Sequence, residues 1–319
     1  MIISILLCIL ISFLMTYFFI PIFKKKLWVS SPNKRSSHLG IIPLGGSLGF
    51  IFVSSISFLL NKEYYFYLFL ILSLVGLIDD LRGLGNKVRL LTQILVGSIF
   101  SVLVYKDSIF NFLSSSSLLF ISDLFIITLM TFFFVSIVNL TNFADGLDGL
   151  VGGSMVIIFL FASYLLNINY IFLVGGLLGF LILNWYPAKV FMGDSGSYFL
   201  GSIYCSCIFQ SNSWIILLAL LLVGSPLYFD VMICVIRRYF QKQNIFRAHK
   251  LNLYQRLNQN GLRHWQVSMI YISSKILIGL SFIIGNIYYM LFTTLIILGI
   301  GLYLEFFIAL PFKEAIEKN

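Results

Sequence analysis

"FIITLMTFFFVSIVNLTNFADGLDGLVGGSMVIIFLFASYLL", residues 125–166, decides the fold. Two runs too apolar for a water-exposed helix flank one polar block at 139–149. In hydrocarbon the backbone must satisfy its own N–H and C=O groups, so such runs form helices. The rest of the chain repeats the pattern. Of 319 residues, 60% are hydrophobic and 10% charged, and the mean hydropathy is +0.99. A soluble core cannot hold that much apolar surface, whereas a set of spanning helices must carry it.

Apolar runs predict an all-α, polytopic membrane helix bundle forming one domain over residues 1–319. Eleven spans are expected near 2–23, 43–60, 64–78, 90–105, 119–138, 150–166, 169–184, 196–210, 213–236, 266–284 and 286–310, with ten as the alternative count. The first run has no basic residue before it and Lys24, Lys25 and Lys26 after it. That reverses the charge order of a signal peptide and predicts a retained span with the N-terminus outside. The C-terminus then falls in the cytoplasm, and cytoplasmic loops fall near 24–42, 79–89, 139–149, 185–195 and 237–265. All of the 21 Lys and Arg except Lys62, Lys106 and Lys275 lie on that inner side. The net charge of +9 is thus explained by the positive-inside rule, and no nucleic-acid partner is called for. Cys8, Cys205, Cys207 and Cys234 all lie in apolar segments and are predicted to be small buried hydrophobes.

The same layout puts three acidic motifs on one face. "GLIDD" (76–80) ends an apolar run in two adjacent carboxylates, Asp79 and Asp80, which want a cation, a basic partner or water. A solvated helix end with Arg82 and Lys87 as partners is the plain alternative. In "NLTNFADGLDGL" (139–150), Asn139, Asn142, Asp145 and Asp148 recur every third position, but Gly146 and Gly149 break a regular helix. A helix end opening into a turn fits best. A calcium loop is excluded, because the alternating acidic ligands and terminal Glu are missing. "MGDSGS" (192–197) sets Asp194 among small residues at a predicted helix start, where free backbone N–H groups would favour a phosphate and the carboxylate a metal; a simple N-cap is the alternative. The loop 237–265 gathers cations, and Arg247, His249, Lys250 and Arg256 form a candidate phosphate clamp on what is otherwise an interfacial amphipathic segment. Gly45–Gly49 and Gly175–Gly179 are small-xxx-small pairs suited to helix packing, within one chain or between two copies, which leaves a homodimer open. Carboxylates, anion-binding amides and cations on one face, over an apolar body, describe a site for a magnesium–polyphosphate substrate that meets a lipid.

These motifs, in the order "PNKRSSH", "DD…NKVRLL", "NLTNFADGLDGL", "N…FMGDSGSYFLG" and "FRAHKLNLYQRL…H", resemble the polyprenyl-phosphate N-acetylhexosamine-1-phosphate transferases, the superfamily of bacterial MraY and WecA. The eleven-span, N-out layout looks more like the WecA branch. The resemblance implies transfer of a sugar-1-phosphate from a UDP-sugar to polyprenyl (undecaprenyl) phosphate, with release of UMP and dependence on Mg²⁺, or Mn²⁺ in its place. It further implies a multi-pass protein of the bacterial inner membrane that starts O-antigen, capsule or other envelope polysaccharide synthesis. By motif, Asp79 and Asp80 match the catalytic aspartate pair and Lys87 the basic residue after it. Asn139, Asn142, Asp145 and Asp148 match the nucleotide-sugar and metal region, Asn184 and Phe191 the uridine side, Asp194 the Mg²⁺ ligand and His249 the first His of the cytoplasmic motif. Two departures stand out: Asn252 replaces the second His of an H-x-x-H pattern, and Leu44 replaces the Arg of P-R-G-G. The rival class is a transporter or flippase for a phosphorylated lipid or nucleotide sugar, which would place ionisable residues along a mid-membrane path.

Overall fold

The computed structural model describes residues 2–25, 28–30, 40–60, 64–105, 123–244 and 249–317. A helix occupies each of the expected apolar segments: α1 (Ile2–Lys25), α2 (Ser47–Leu60), α3 (Phe66–Arg82), α4 (Asn86–Tyr105), α5 (Asp123–Ala144), α6 (Leu150–Leu166), α7 (Ile171–Asn184), α8 (Gly193–Phe209), α9 (Trp214–Phe240), then α11 (His264–Ile284) and α12 (Ile287–Tyr303). Between α9 and α11 lies the short α10 (Leu253–Gln259); α12 runs into a π-helical turn, Leu304–Ile308, and α13 (Phe312–Glu317) follows. Among the described residues, six helices are long and apolar enough to cross a bilayer: α1, α4, α5, α9, α11 and α12 with its π turn. Helices α2, α6 and α7 are apolar but shorter. The protein is a helical membrane protein.

Two details depart from the expectation. The bundle is not purely helical, because β1 (Val29–Ser30) pairs antiparallel with β2 (Ile42–Pro43), Val29 opposite Pro43. From the end of β2, Pro43 O accepts from Phe191 N at 2.9 Å, and beyond it Gly46 N donates to Phe191 O at 2.8 Å, so this ribbon ties the α1–α2 connection to the approach of α8. In addition, α5 runs past the expected end at 138 to Ala144. Its polar residues find partners in the bundle instead of ending the helix: Asn139 Nδ2 donates to Gln93 Oε1 of α4 at 2.6 Å, and the Thr141 and Tyr228 hydroxyls bond at 2.8 Å.

Lipid is as apolar as leucine, so helices in a bilayer associate through close packing and hydrogen bonds. Helix α7 lies against α1 in this way. A Cβ on Gly179 would stand 2.3 Å from Ile9 O and one on Gly175 2.8 Å from Cys8 Cβ, while Ser12 Oγ donates to Gly176 O at 2.7 Å. The Gly175–Gly179 pair therefore packs within the chain. An aromatic joint holds α3, α4, α5 and α8, with Phe100 centroids 5.1 Å from Phe69, 5.6 Å from Phe134 and 6.0 Å from Phe209. All four cysteines are buried.

Candidate active site

Helix α3 ends in Asp79–Asp80 and α8 begins at Gly193–Asp194, and the two ends touch because Gly76 has no side chain. A Cβ at Gly76 would lie 2.6 Å from Asp194 C and from Ser195 N, both backbone atoms that cannot yield. The contact sets Asp80 over the start of α8, where its two oxygens accept from Asp194 N at 3.0 Å and Ser195 N at 3.4 Å. First-turn amides have no partner within their own helix, so a carboxylate from a neighbouring helix completes them. This corrects the expectation that these amides stand open to a phosphate. Asp80 acts as the cap. Gly76→Ala should separate α3 from α8 and lower stability by about 1–3 kcal/mol. Thermal unfolding in detergent checks this.

Asp79, its side chain 8% exposed, accepts from Leu84 N and pairs with Arg89 Nη1 at 2.8 Å. The same Arg89 nitrogen is 3.4 Å from Asp194 Oδ2. Asp194 Oδ1 accepts from Asn142 Nδ2 at 2.8 Å, and Tyr198 Oη lies 3.4 Å from Oδ2. The motif residues Asp79, Asn142 and Asp194 thus meet at one point. The base that joins them is Arg89, which the motif reading passed over, while Lys87 stays exposed on the first turn of α4. The available signal was helical spacing: Arg89 is three residues from Asn86, which it also contacts, on the face of α4 that looks back across the tight turn to Asp79.

After Ala144 the chain turns, with Asp145 N donating to Asn142 O at 3.1 Å and Gly149 at φ 72°, as the glycine spacing predicts. Among the described residues the Asp145 carboxylate accepts no hydrogen bond. Burial, then the negative charges of Asp194 and Asp148, push it up to about 7. The sign follows directly. Between the ordinary carboxylate range and about 7 the folded chain holds a proton that the unfolded chain has released, so stability falls as pH rises through that window. Unfolding temperature of metal-free protein measured from pH 4 to 8 should show this slope, and Asp145→Asn should flatten it.

Asp148 and Asn184 lie just behind. Asp148 is buried, with Oδ1 3.2 Å from His264 Nδ1 and Oδ2 accepting from Ala188 N at 3.1 Å, and its carbonyl accepts from Ser268 Oγ at 2.9 Å. Asn184 accepts from Gly149 N at 3.0 Å and donates to Val190 O at 2.9 Å. Both residues tie the 145–149 turn to the 185–190 turn and to α11. Phe191 is half-buried beside them. His264, with the exposed Tyr186 ring 5.2 Å away, is a second neighbour the motif reading left without a role. Asn139 lies one helical turn back from Asn142, inside the α4–α5 contact.

The cationic segment is dispersed. Arg247 lies outside the described residues, as does the basic stretch 31–39. His249 Nδ1 accepts from Leu251 N at 3.1 Å, and burial, helped by Arg238, lowers the imidazole to about 4, so it is neutral at pH 7. Lys250 is half-buried, and burial lowers its ammonium pKa. Arg256 departs from the proposed clamp. It is 2% exposed; Nε donates to Leu251 O at 3.0 Å, Nη1 to Leu310 O at 3.0 Å and Nη2 to Glu305. Each nitrogen has an internal acceptor and the side chain is buried, so Arg256 braces the C-terminal segment and is not presented to a phosphate.

The resulting cluster is a part-buried set of carboxylates with one guanidinium, at the end of an apolar bundle. Carboxylates held this close bind cations or protons, and perturbed acids in a cleft mark functional sites. Comparisons with known proteins agree. The glycosyl transferase family 4 profile matches residues 63–212. The undecaprenyl-phosphate alpha-N-acetylglucosaminyl 1-phosphate transferase of Thermotoga maritima is 30% identical over 273 residues, covering 85% of this chain and 86% of that one. The probable undecaprenyl-phosphate N-acetylglucosaminyl 1-phosphate transferase of Bacillus subtilis is 31% identical over 81% of this chain and 76% of its own. A phospho-N-acetylmuramoyl-pentapeptide-transferase of Staphylococcus epidermidis is 29% identical over 85% of this chain and 94% of its own. With its motifs converging as described and relatives aligned along most of its length, the chain belongs to the polyprenyl-phosphate hexosamine-1-phosphate transferase superfamily, within glycosyl transferase family 4.

Proposed function

We propose that this protein transfers an N-acetylhexosamine-1-phosphate from a UDP-sugar to polyprenyl phosphate, releasing UMP, at the cytoplasmic face of a bacterial inner membrane. The product would be the lipid-linked first sugar of a cell-envelope polysaccharide. One observation carries the reading: Asp79, Asp145 and Asp194, far apart in sequence, gather with Asn142 and Arg89 at the end of a lipid-embedded bundle. Charge asymmetry of the loops supports the cytoplasmic side. A transporter would need polar groups lining a path through the membrane. Two ionisable residues that the sequence places inside apolar runs, Lys275 and Glu305, are engaged internally: Lys275 donates to Tyr271 O at 3.3 Å, and Glu305 pairs with Arg237 and Arg256.

Among the described residues no three His, Cys, Asp or Glu side chains form a ready metal cage. Mg²⁺ needs less, since it is commonly held by one or two carboxylates with substrate phosphates and water completing the shell. The donor set fits: Asp194 and Asp79 adjoin, and Asp145 has an open carboxylate within reach of the Asp194 charge. These residues would hold Mg²⁺, or Mn²⁺ in its place, which when bound neutralises pyrophosphate charge. Arg89 would offset charge on the same phosphates while bridging Asp79 and Asp194. Asn142 orients Asp194, and Asp80 locks the α3–α8 junction so that both carboxylates hold their spacing. A phosphate oxygen of the acceptor lipid attacks the sugar-bearing phosphorus, the pyrophosphate P–O bond breaks, and its electron pair leaves on UMP. Such transfer depends mainly on positioning and charge stabilisation.

The test uses purified protein in detergent with undecaprenyl phosphate, Mg²⁺ and a panel of labelled UDP-N-acetylhexosamines. Release of UMP that requires both lipid and cation is the expected result. Absence of release with every sugar, or release without the lipid, would overturn the reading.

A further inference from the structure

We propose that Asn252 and Tyr254 are positioning residues that hold Asp145 in place by gripping the main-chain carbonyl of Phe143. The proposal rests on the transferase reading for its catalytic consequence but not for its geometry. Phe143 O belongs to the last turn of α5, where carbonyls lack partners within the helix. Its donors come from the start of α10 and the cap residue before it: Tyr254 Oη at 2.9 Å and Asn252 Nδ2 at 3.2 Å, with Asn252 Nδ2 also 3.0 Å from Tyr254 Oη. Asp145 is two residues further on. On its other side Gly146 rests directly on α10, where a Cβ would lie 2.6 Å from Tyr254 Oη and 2.9 Å from Gln255 Nε2. The corner carrying Asp145 is therefore held on both flanks by one short helix.

That helix is anchored in turn. Asp230 of α9 accepts from Leu253 N at 2.6 Å, Tyr254 N at 3.0 Å and Tyr271 Oη of α11 at 2.6 Å. Tyr254 is fully buried, with no room to choose another rotamer. A continuous series of hydrogen bonds runs from α9 and α11 through α10 to the Asp145 corner. It also explains the residue at 252. One amide nitrogen carries two N–H groups and can serve Phe143 O and Tyr254 Oη together, and it stays neutral at every pH, whereas each imidazole nitrogen carries at most one N–H. In this chain position 252 supports the acidic corner instead of supplying an acid or base.

The test compares wild type with Tyr254→Phe, Asn252→Ala and the double variant. Hydrogen exchange of backbone amides in 143–149 should quicken in the double variant while those of the α8 start, held by Asp80, stay slow. Turnover should fall about 3- to 10-fold in each single variant and about 100-fold in the double, since a misplacement of about 1 Å can cost that much. KM for the UDP-sugar should stay within about twofold, the pattern of a lost transition-state interaction. Unchanged exchange in the double variant overturns the clamp, whatever the activity. Quickened exchange with wild-type turnover, or a turnover loss matched by a lost folded fraction, overturns the positioning role. Quickened exchange in a protein whose wild type releases no UMP keeps the clamp and removes the transferase reading instead.

Discussion

Replacing Asp194 with Asn should lower turnover about 10³-fold while the protein still folds. The fold survives because the substituted amide keeps an oxygen for Asn142 Nδ2, now 2.8 Å from Asp194 Oδ1, and because the amides of the α8 start remain capped by Asp80. What disappears is one of the negative charges around which Arg89, Asn142 and Tyr198 are arranged. Arg89 would then pair with Asp79 alone, and the cluster would lose one of the carboxylates proposed to hold a cation. Initial rates of lipid-dependent UMP release, with thermal unfolding as the control for folding, decide the matter. Retention of more than about a tenth of wild-type turnover, far above the loss expected for a transition-state group, would remove Asp194 from the reacting centre.

The second large effect concerns stability. Glu305→Ala should cost about 3–5 kcal/mol, because it leaves the buried Arg256 guanidinium without its ion-pair partner. Arg256 is 2% exposed and its other nitrogens are committed to Leu251 O and Leu310 O, so it cannot swing out to water. Glu305 also pairs with Arg237, but that side chain is 34% exposed and contributes less. The same guanidinium lies 5.4 Å from the Phe312 ring centroid, so the loss should free the C-terminal segment from α10 as well. Adding Arg256→Met to Glu305→Ala should recover much of the stability, since an apolar residue there leaves no orphan charge. Unfolding temperatures of the three proteins in one detergent check the order. An equal loss in the single and double variants would mean that the burial of Arg256 charge is not the cause.

The sequence by itself determined the bundle and the parts of its site. Hydrophobic runs located the helices because spanning segments must be apolar along their whole length, a signal that needs no tertiary context. Gly146 and Gly149 located the turn after α5 for an equally local reason. Residue chemistry singled out Asp79, Asp145 and Asp194. Their partners were not legible, because which base meets a carboxylate depends on the direction of a side chain across a packed interface. Only the tertiary structure decided that Arg89, rather than Lys87, joins Asp79 to Asp194, and that Asp80 fills the amides of α8. It alone turned Arg256 inward to Glu305 and Leu310, because the π turn after α12 brings those acceptors over α10. Apolar pattern is written one residue at a time, whereas hydrogen bonds and ion pairs between distant segments exist only once the helices have packed.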